Sequence, residues 1–160
     1  MLTKRLGNIG EAKTLAKFVE LQIPVYQPFG DTETADMVAE FKGKLQKIQV
    51  KTSEKYENGK MIFSLISSTC HRKNGVKHKY SESEVDYFAL YNLEADKLLL
   101  IPFKEVKDRQ QLSIPFPYRS SHNQNKTLNW EDYTFEKIIC VETLHTASKK
   151  DEEKAQTTTE

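Results

Sequence analysis

The sequence predicts an α/β domain, and three observations support this fold class. A stretch near the N-terminus has the apolar spacing of an amphipathic helix. Several later stretches are short, apolar and rich in β-branched or aromatic residues, as strands are. The 160 residues suffice for one domain with a substantial core. We expect that domain to cover residues 1–146, and we expect the charged segment 147–160, which lacks large apolar residues, to be disordered.

The composition restricts the partners and the compartment. The formal net charge is only +1, so any binding to nucleic acid has to rest on local basic patches. Cys70 and Cys140 lie far apart and outside any CxxC motif, which argues against a zinc site or a disulfide framework and fits a reducing cytoplasm. No apolar run approaches the length of a membrane span, and the start has no signal-peptide apolar region. We therefore expect a cytoplasmic protein without membrane contact.

The first element is a predicted helix over residues 3–21. Gly7 and Gly10 each weaken its start by about 1 kcal/mol relative to alanine, or else let the backbone approach a neighbour closely. Glu11 lies beside the apolar face, and its ordinary interpretation is a solvated glutamate. Residues at helical spacing form the predicted apolar face: Leu6, Ile9, Ala12 or Lys13, Ala16, and Val19 or Glu20, widened by Leu15 and Phe18.

Two strands are predicted over residues 35–41 and 48–52, and Gly43 between them indicates a hairpin. Because successive side chains of a strand point to opposite faces, Gln49 and Lys51 share one face, and the apolar side chains of the second strand take the other. A lysine beside a polar acceptor, on a strand otherwise suited to a core, is costly to place without a purpose.

The turn of this hairpin decides whether Asp36 joins the polar face of the second strand. A type II′ turn with glycine first would consist of Gly43 and Lys44, and it would place Asp36 opposite Lys51 with Gln49 diagonal to it. A loop with an odd number of residues would instead place Asp36 on the apolar face. The cluster therefore requires an even loop or a compensating bulge.

The remaining elements are mostly strands. Segment 61–67 carries apolar residues in both alternating sets, which predicts burial on both faces. Asp86 near the start of a strand has a structural interpretation, and Asn129 suits the N-cap of a helix that begins at Trp130. The other predicted strands are residues 25–29, 85–91, 97–103 and, at a sheet edge, 111–116, with a helical turn over 104–109.

Two polar segments are candidate nucleic-acid contacts. Segment 70–79 is basic and contains an Asn-Gly turn; its cations could contact phosphate oxygens, but a solvated surface loop fits equally well. Segment 118–129 is rich in side chains that could read base edges, and composition does not separate this role from an ordinary polar loop. The candidate DNA-binding residues are Arg72, Lys73, Lys77, Lys79, Arg119, His122, Asn123, Gln124 and Lys126.

An aspartate, a nearby acceptor and a lysine suit metal-assisted hydrolysis of a phosphodiester. Oxygen ligands suit Mg²⁺, which takes one or two carboxylates and keeps several waters. The metal would polarise the phosphoryl oxygen, and the lysine would orient water or stabilise developing negative charge. A cross-strand ion pair between Asp36 and Lys51, worth less than about 1 kcal/mol when exposed, explains the same residues, and spacing alone favours it.

The wider pattern resembles the PD-(D/E)XK nuclease superfamily. Gly10-Glu11 in the first helix, Asp36 and then Gln49-Val50-Lys51-Thr52 follow one another in the order of that superfamily. More narrowly, the chain is similar to the group I intron-encoded homing endonucleases with the restriction-enzyme fold. This resemblance implies a restriction-endonuclease-like core, a mixed β-sheet flanked by helices. It covers about Thr3 to Glu136 and rests on GNIGE (7–11), ADMV (35–38), IQVKT (48–52), VDYFALY (85–91), LLLIP (98–102), Asn123-Gln124 and WEDY (130–133).

The resemblance also implies the roles of the site residues. It implies a Mg²⁺ site in which Mn²⁺ can substitute, and Lys51 as the catalytic lysine. Two departures are Ala35, where the superfamily name has proline, and Gln49, where it has a second acid. A glutamine coordinates only through its neutral carbonyl oxygen, so the site has one negative charge fewer, which Glu11 can supply. The implied catalytic residues are Glu11, Asp36, Gln49 and Lys51, and the implied metal ligands are Asp36, Glu11, Gln49 and Val50.

The activity implied is that of a sequence-specific DNA endonuclease that makes double-strand breaks in intron homing. Because one site cuts one strand, cutting a duplex in a single encounter needs at least a dimer, and the family suggests a tetramer. Two alternatives stay open. A Holliday-junction resolvase of the same superfamily would recognise branched DNA. A DNA-binding module with a dead site would explain why Gln49 replaces the second acid.

Overall fold

The computed structural model describes residues 3–30, 33–68, 77–117 and 128–140. None of the helices in this part of the chain is both long and apolar enough to cross a membrane. The predicted tail, 147–160, lies outside the described residues. In chain order the elements are α1 (Thr3–Glu20), β1 (Val25–Tyr26), β2 (Met37–Phe41), β3 (Lys44–Ser53), β4 (Tyr56–Glu57), β5 (Lys60–Ser64), β6 (Ile66–Ser68), β7 (Lys77–Lys79), β8 (Tyr87–Asn92), β9 (Lys97–Pro102), α2 (Phe103–Val106), β10 (Gln111–Pro115), a 3₁₀ turn (Trp130–Tyr133) and α3 (Phe135–Cys140).

The central sheet is mixed, as the family resemblance implied. In the described part of the chain, its five strands lie in the order β1-β2-β3-β8-β9. The β3–β8 pair is parallel, with Ile48 opposite Tyr87, whereas the other three pairs in this sheet are antiparallel. Strand β3 is therefore the central strand, and the residues of the predicted site lie on it or beside it.

The predicted β2–β3 hairpin forms, but its turn differs from the prediction. The loop is Lys42 and Gly43, with φ of 56° and 66°, so both residues are left-handed, as a type I′ turn requires. The register shifts by two residues, which places Met37 opposite Ile48. Because the loop still has an even number of residues, Asp36 keeps its place on the polar face of β3.

Helix α1 begins where predicted, but its buried face is shifted from the predicted one. Phe18, which was predicted to widen the apolar face, is buried together with Gly10 and Thr14, whereas Val19 of the predicted face is 63% exposed. The reason lies in Gly10: a Cβ there would lie 1.9 Å from Thr52 Oγ1, so only glycine lets the helix pack this closely on β3. The hydroxyl of Thr14 donates to the Gly10 carbonyl at 2.8 Å, which satisfies this buried polar group within the helix.

Two apolar clusters cover the two faces of the sheet. Alternate residues of β8 contribute to each, so that Phe88 belongs to one cluster and Ala89 to the other. The cluster under α1 includes Phe18, Met37, Ile48, Leu100 and Phe135. The opposite cluster includes Phe63, Phe88, Leu90, Leu99 and Leu112, and it extends to β5 and β10.

Three smaller predictions have different outcomes. Segment 61–67 divides into β5 and β6, and Ser64 is exposed while Phe63 is buried, so the prediction of burial on both faces is wrong. Asn129 does cap the turn at Trp130, because its side chain accepts a hydrogen bond from the Glu131 amide at 3.2 Å. Asp86 is structural: its Oδ2 accepts from the Lys47 amide at 2.8 Å, at the point where β3 and β8 begin to pair.

Candidate active site

Asp36, Gln49 and Val50 meet where β2 begins, beside the middle of β3. The Asp36 amide donates to the Ile48 carbonyl at 3.0 Å, which fixes the backbone of the aspartate against β3. Its carboxylate Oδ2 then accepts from Gln49 Nε2 at 2.5 Å and from the Val50 amide at 2.7 Å. A backbone amide on a central strand cannot move independently, so the carboxylate has a fixed position.

Glu11 approaches the same carboxylate from helix α1. Burial raises the pKa of Glu11, and the negative charge of Asp36 raises it further. Burial also raises the pKa of Asp36, although the Val50 amide, the Lys51 charge and the Gln49 amide each oppose this rise. Two carboxyl groups that share a partly buried site repel each other when both are ionised, and a cation between them would relieve that repulsion.

Lys51 lies on the same face of β3 as Gln49, two residues further along. Its Nζ donates to the Tyr80 hydroxyl at 2.7 Å. Burial lowers the pKa of Lys51, and the nearby Asp36 carboxylate partly restores it. Among the described residues no ion pair joins Asp36 and Lys51, so the simple cross-strand pair is not the arrangement that the structure adopts.

The oxygen atoms at this position fit a divalent cation. Asp36 Oδ2 and the Val50 carbonyl both accept from Gln49 Nε2, at 2.5 and 3.3 Å, so two acceptors converge on one electropositive group. Rotation of the glutamine amide would turn its carbonyl oxygen to the same point. Within the described residues no three of His, Cys, Asp or Glu form a cluster, so the ligand set combines few carboxylates with neutral oxygens. That set suits Mg²⁺, which keeps several waters.

The structure places few of the candidate DNA-binding residues. Lys77 and Lys79 lie in β7, which pairs with β6, and the Lys79 side chain is exposed. The others lie outside the described residues: Arg72, Lys73, Arg119, His122, Asn123, Gln124 and Lys126.

Sequence reasoning missed Tyr80 and the role of Thr52. Tyr80 is 6% exposed and contacts Lys51, yet it directly follows a basic segment in which no apolar period draws attention to it. Thr52 Oγ1 is buried, has no hydrogen-bond partner among the residues that the structure describes, and faces Gly10. The glycine in the Gly10-Glu11 pair was the available signal, because it indicates a close approach of the backbone.

Comparison with known proteins identifies the fold and the family. The sequence profile described as PD-(D/E)XK endonuclease matches residues 1–137. Among solved structures, the bacterial homing endonuclease I-Ssp6803I superposes with a TM-score of 0.68 at 19% identity, over 93% of this chain and 99% of that one. No curated protein matches. The predicted restriction-endonuclease-like core is thus confirmed, and since the profile spans most of the chain, this protein belongs to the PD-(D/E)XK endonuclease family.

Proposed function

We propose that the protein is a divalent-metal-dependent DNA endonuclease that uses Mg²⁺, with Mn²⁺ able to substitute. Asp36, Glu11, Gln49 and the Val50 carbonyl would hold the metal, and Lys51 would be the catalytic lysine. The observation that supports this most is the convergence of Asp36 Oδ2 and the Val50 carbonyl on one point of β3. Family membership supports phosphodiester hydrolysis, and nucleases of this family use divalent metals.

Each side chain contributes through its position. A bound divalent cation polarises a phosphoryl oxygen and lowers the pKa of a coordinated water. Asp36 offers a carboxylate that the Val50 amide holds at 2.7 Å, and this hydrogen bond remains when the Gln49 amide rotates to present its oxygen to a cation. Lys51 presents its ammonium on the same face, where it can donate to a phosphoryl oxygen as negative charge develops. Gln49 contributes a neutral oxygen, and Glu11 supplies the second negative charge.

We further propose that the enzyme cuts both strands of duplex DNA in a sequence-specific manner and serves in intron homing. The likeness to the homing endonuclease I-Ssp6803I motivates this role, although at 19% identity it concerns the fold. Double-strand cleavage in one encounter requires two copies of the site, hence at least a dimer, with a tetramer as the larger assembly. Discrete fragments from plasmid that carries the target, rather than random nicking, are the expected product.

The decisive experiment is cleavage of supercoiled plasmid with Mg²⁺ or with EDTA, for the wild type and for Lys51→Ala. We expect metal-dependent cuts that Lys51→Ala loses by roughly a hundredfold or more, as when a group that stabilises transition-state charge is removed. Lys47→Ala is the matched control, because Lys47 lies on the same face of β3 but donates to the Ser83 carbonyl at 2.7 Å. Equal losses in both variants would contradict the assignment of Lys51.

Metal binding has a test that does not depend on cleavage. Mg²⁺ should raise the melting temperature of the wild type, because it relieves the repulsion between Glu11 and Asp36. In the double variant Glu11→Gln, Asp36→Asn the increase should disappear. An equal increase in both proteins would place the metal elsewhere.

DNA-binding and cleavage assays on linear duplex and four-way junctions separate the alternatives. DNA binding without any cleavage in Mg²⁺ or Mn²⁺ would indicate the module with a dead site. Preference for four-way junctions over linear duplex of the same sequence would indicate a resolvase.

A further inference from the structure

The ammonium group of Lys51 forms its hydrogen bond with a tyrosine hydroxyl rather than with a carboxylate. Its Nζ donates to the hydroxyl of Tyr80 at 2.7 Å, and Tyr80 directly follows strand β7. We propose that Tyr80 is a positioning residue for Lys51, whose hydroxyl fixes the direction of the ammonium beside Asp36. This inference rests on the proposed nuclease function and extends it to a residue outside the sequence motif.

The ring of Tyr80 is itself held in place. It packs edge-on against Phe88 at 5.6 Å between ring centroids and against His78 at 5.4 Å, and only 6% of the residue is exposed. The hydroxyl also forms a hydrogen bond with Ser67. A long lysine side chain has many rotamers, and ordering it costs conformational entropy. A rigid acceptor at its tip orders the side chain before the reaction, so this cost does not add to the barrier.

A tyrosine is also a suitable acceptor chemically. Burial raises the pKa of Tyr80 to about 12, so the hydroxyl keeps its proton at neutral pH. It accepts the hydrogen bond from Lys51 through a lone pair and stays uncharged. A carboxylate in this position would neutralise the lysine, whereas Tyr80 orients Lys51 and leaves its positive charge available to a phosphate group.

Tyr80 further connects the site to the β6–β7 hairpin. Ser67 lies in β6, and His78 lies in β7 one residue before Lys79, a candidate phosphate contact. The orientation of Lys51 thus depends on a segment that the sequence motif does not include. Removal of the Tyr80 hydroxyl should therefore slow the chemical step without weakening DNA binding.

The test compares Tyr80→Phe with Tyr91→Phe, which is a close control. Tyr91 is also buried, at 3% exposure, and its hydroxyl donates to a charged group, Asp96, at 2.8 Å. Three quantities are measured: the single-turnover cleavage rate, the affinity for target DNA without metal, and the melting temperature. We expect Tyr80→Phe to cut roughly tenfold to a hundredfold more slowly at unchanged affinity, and Tyr91→Phe to cut at the wild-type rate.

A wild-type rate in Tyr80→Phe, with Lys51→Ala inactive, would overturn this inference and leave the proposed function intact. Absence of cleavage by the wild type would instead overturn the proposed function. If Tyr80→Phe melts far below Tyr91→Phe, the cleavage rates of both variants are measured at a temperature well below both midpoints, where both proteins are folded. A slower rate for Tyr80→Phe at unchanged affinity again supports the inference, and a wild-type rate contradicts it.

Discussion

Asp36 and Asp86 use the same local device on the same strand, but only Asp36 lies in a cluster of polar groups suited to chemistry. Each aspartate comes just before a strand that pairs with β3, and each accepts a hydrogen bond from a β3 amide, Val50 at 2.7 Å or Lys47 at 2.8 Å. Asp36 also has Gln49, Lys51 and Glu11 around it. The comparison teaches that the neighbours, rather than the hydrogen bond to the backbone, distinguish a candidate metal ligand from a structural aspartate.

The largest expected difference concerns activity. Asp36→Asn should reduce the single-turnover cleavage rate by about a thousandfold or more, as is typical when one member of a catalytic unit is lost. Asp86→Asn should keep the wild-type rate within about threefold, because the oxygen of the new amide can still accept from the Lys47 amide and lies outside the cluster. Cleavage rates at saturating protein would check both, and equal losses would remove the distinction between the two aspartates.

The next test changes the position of Glu11, which lies near Asp36 and not near Asp86. It does so through the two glycines of helix α1. A Cβ at Gly10 would lie 1.9 Å from Thr52 Oγ1, whereas a Cβ at Gly7 would meet nothing within 4 Å. Gly10→Ala should therefore displace the helix, lower the cleavage rate by roughly tenfold or more, and cost about 1–3 kcal/mol of unfolding free energy. Gly7→Ala should stabilise the protein by about 0.5–1 kcal/mol at an unchanged rate.

Denaturant unfolding and cleavage rates would be measured for both glycine variants. If Gly10→Ala lost stability but cut DNA at the wild-type rate, the packing of α1 on Thr52 would have no part in placing Glu11. The contrast between Asp36 and Asp86 would then rest on Gln49 and Lys51 alone.

For stability we expect the opposite order: Asp86→Ala should lose more unfolding free energy than Asp36→Ala. Asp86→Ala leaves the Lys47 amide without its acceptor and should cost about 1–3 kcal/mol of unfolding free energy. Asp36→Ala leaves the Val50 amide without its acceptor too, but it also removes a carboxylate whose ionisation is opposed by burial. Urea unfolding without metal should therefore show a smaller loss for Asp36→Ala. A larger loss in Asp36→Ala would mean that the hydrogen bonds of the Asp36 carboxylate stabilise the fold by more than its burial destabilises it.

The sequence anticipated the parts of this site that depend on strand alternation. Gln49 and Lys51 lie on one face because side chains alternate along β3, and Asp36 joins them because the loop is even. The register could not be predicted, since the glycine of a two-residue turn can take either position and Lys42 adopts the left-handed conformation that the prediction gave to glycine alone.

Helix α1 and Tyr80 show where sequence patterns fail. The buried face of α1 includes a glycine and a threonine, which hydrophobic periodicity does not detect. The contact between Tyr80 and Lys51 joins residues that are 29 positions apart, and it depends on how the β6–β7 hairpin packs against β8. Predicting such a contact requires the tertiary structure.

The smallest expected difference is in the pH dependence of stability. Burial raises the pKa of Asp36 in the folded state, and burial together with Asp36 raises that of Glu11. For an acid whose folded pKa is raised, the folded state binds more protons than the unfolded chain between the two pKa values. Without metal, the wild type should therefore lose stability as pH rises from the ordinary carboxyl pKa values, 3.8 and 4.5, through the raised ones.

Asp36→Asn should flatten this loss, because it removes one raised carboxyl group and the charge that raises the other. Melting temperatures across this pH range, in metal-free buffer, would measure the effect, and Asp86→Asn would control for the loss of a carboxylate that bonds the same strand. Saturating Mg²⁺ should flatten the wild-type profile in the same way, since a cation offsets the repulsion that ionisation creates. If Asp36→Asn kept the wild-type slope, the two carboxyl groups would not be coupled, and Glu11 would lose its place beside the proposed metal.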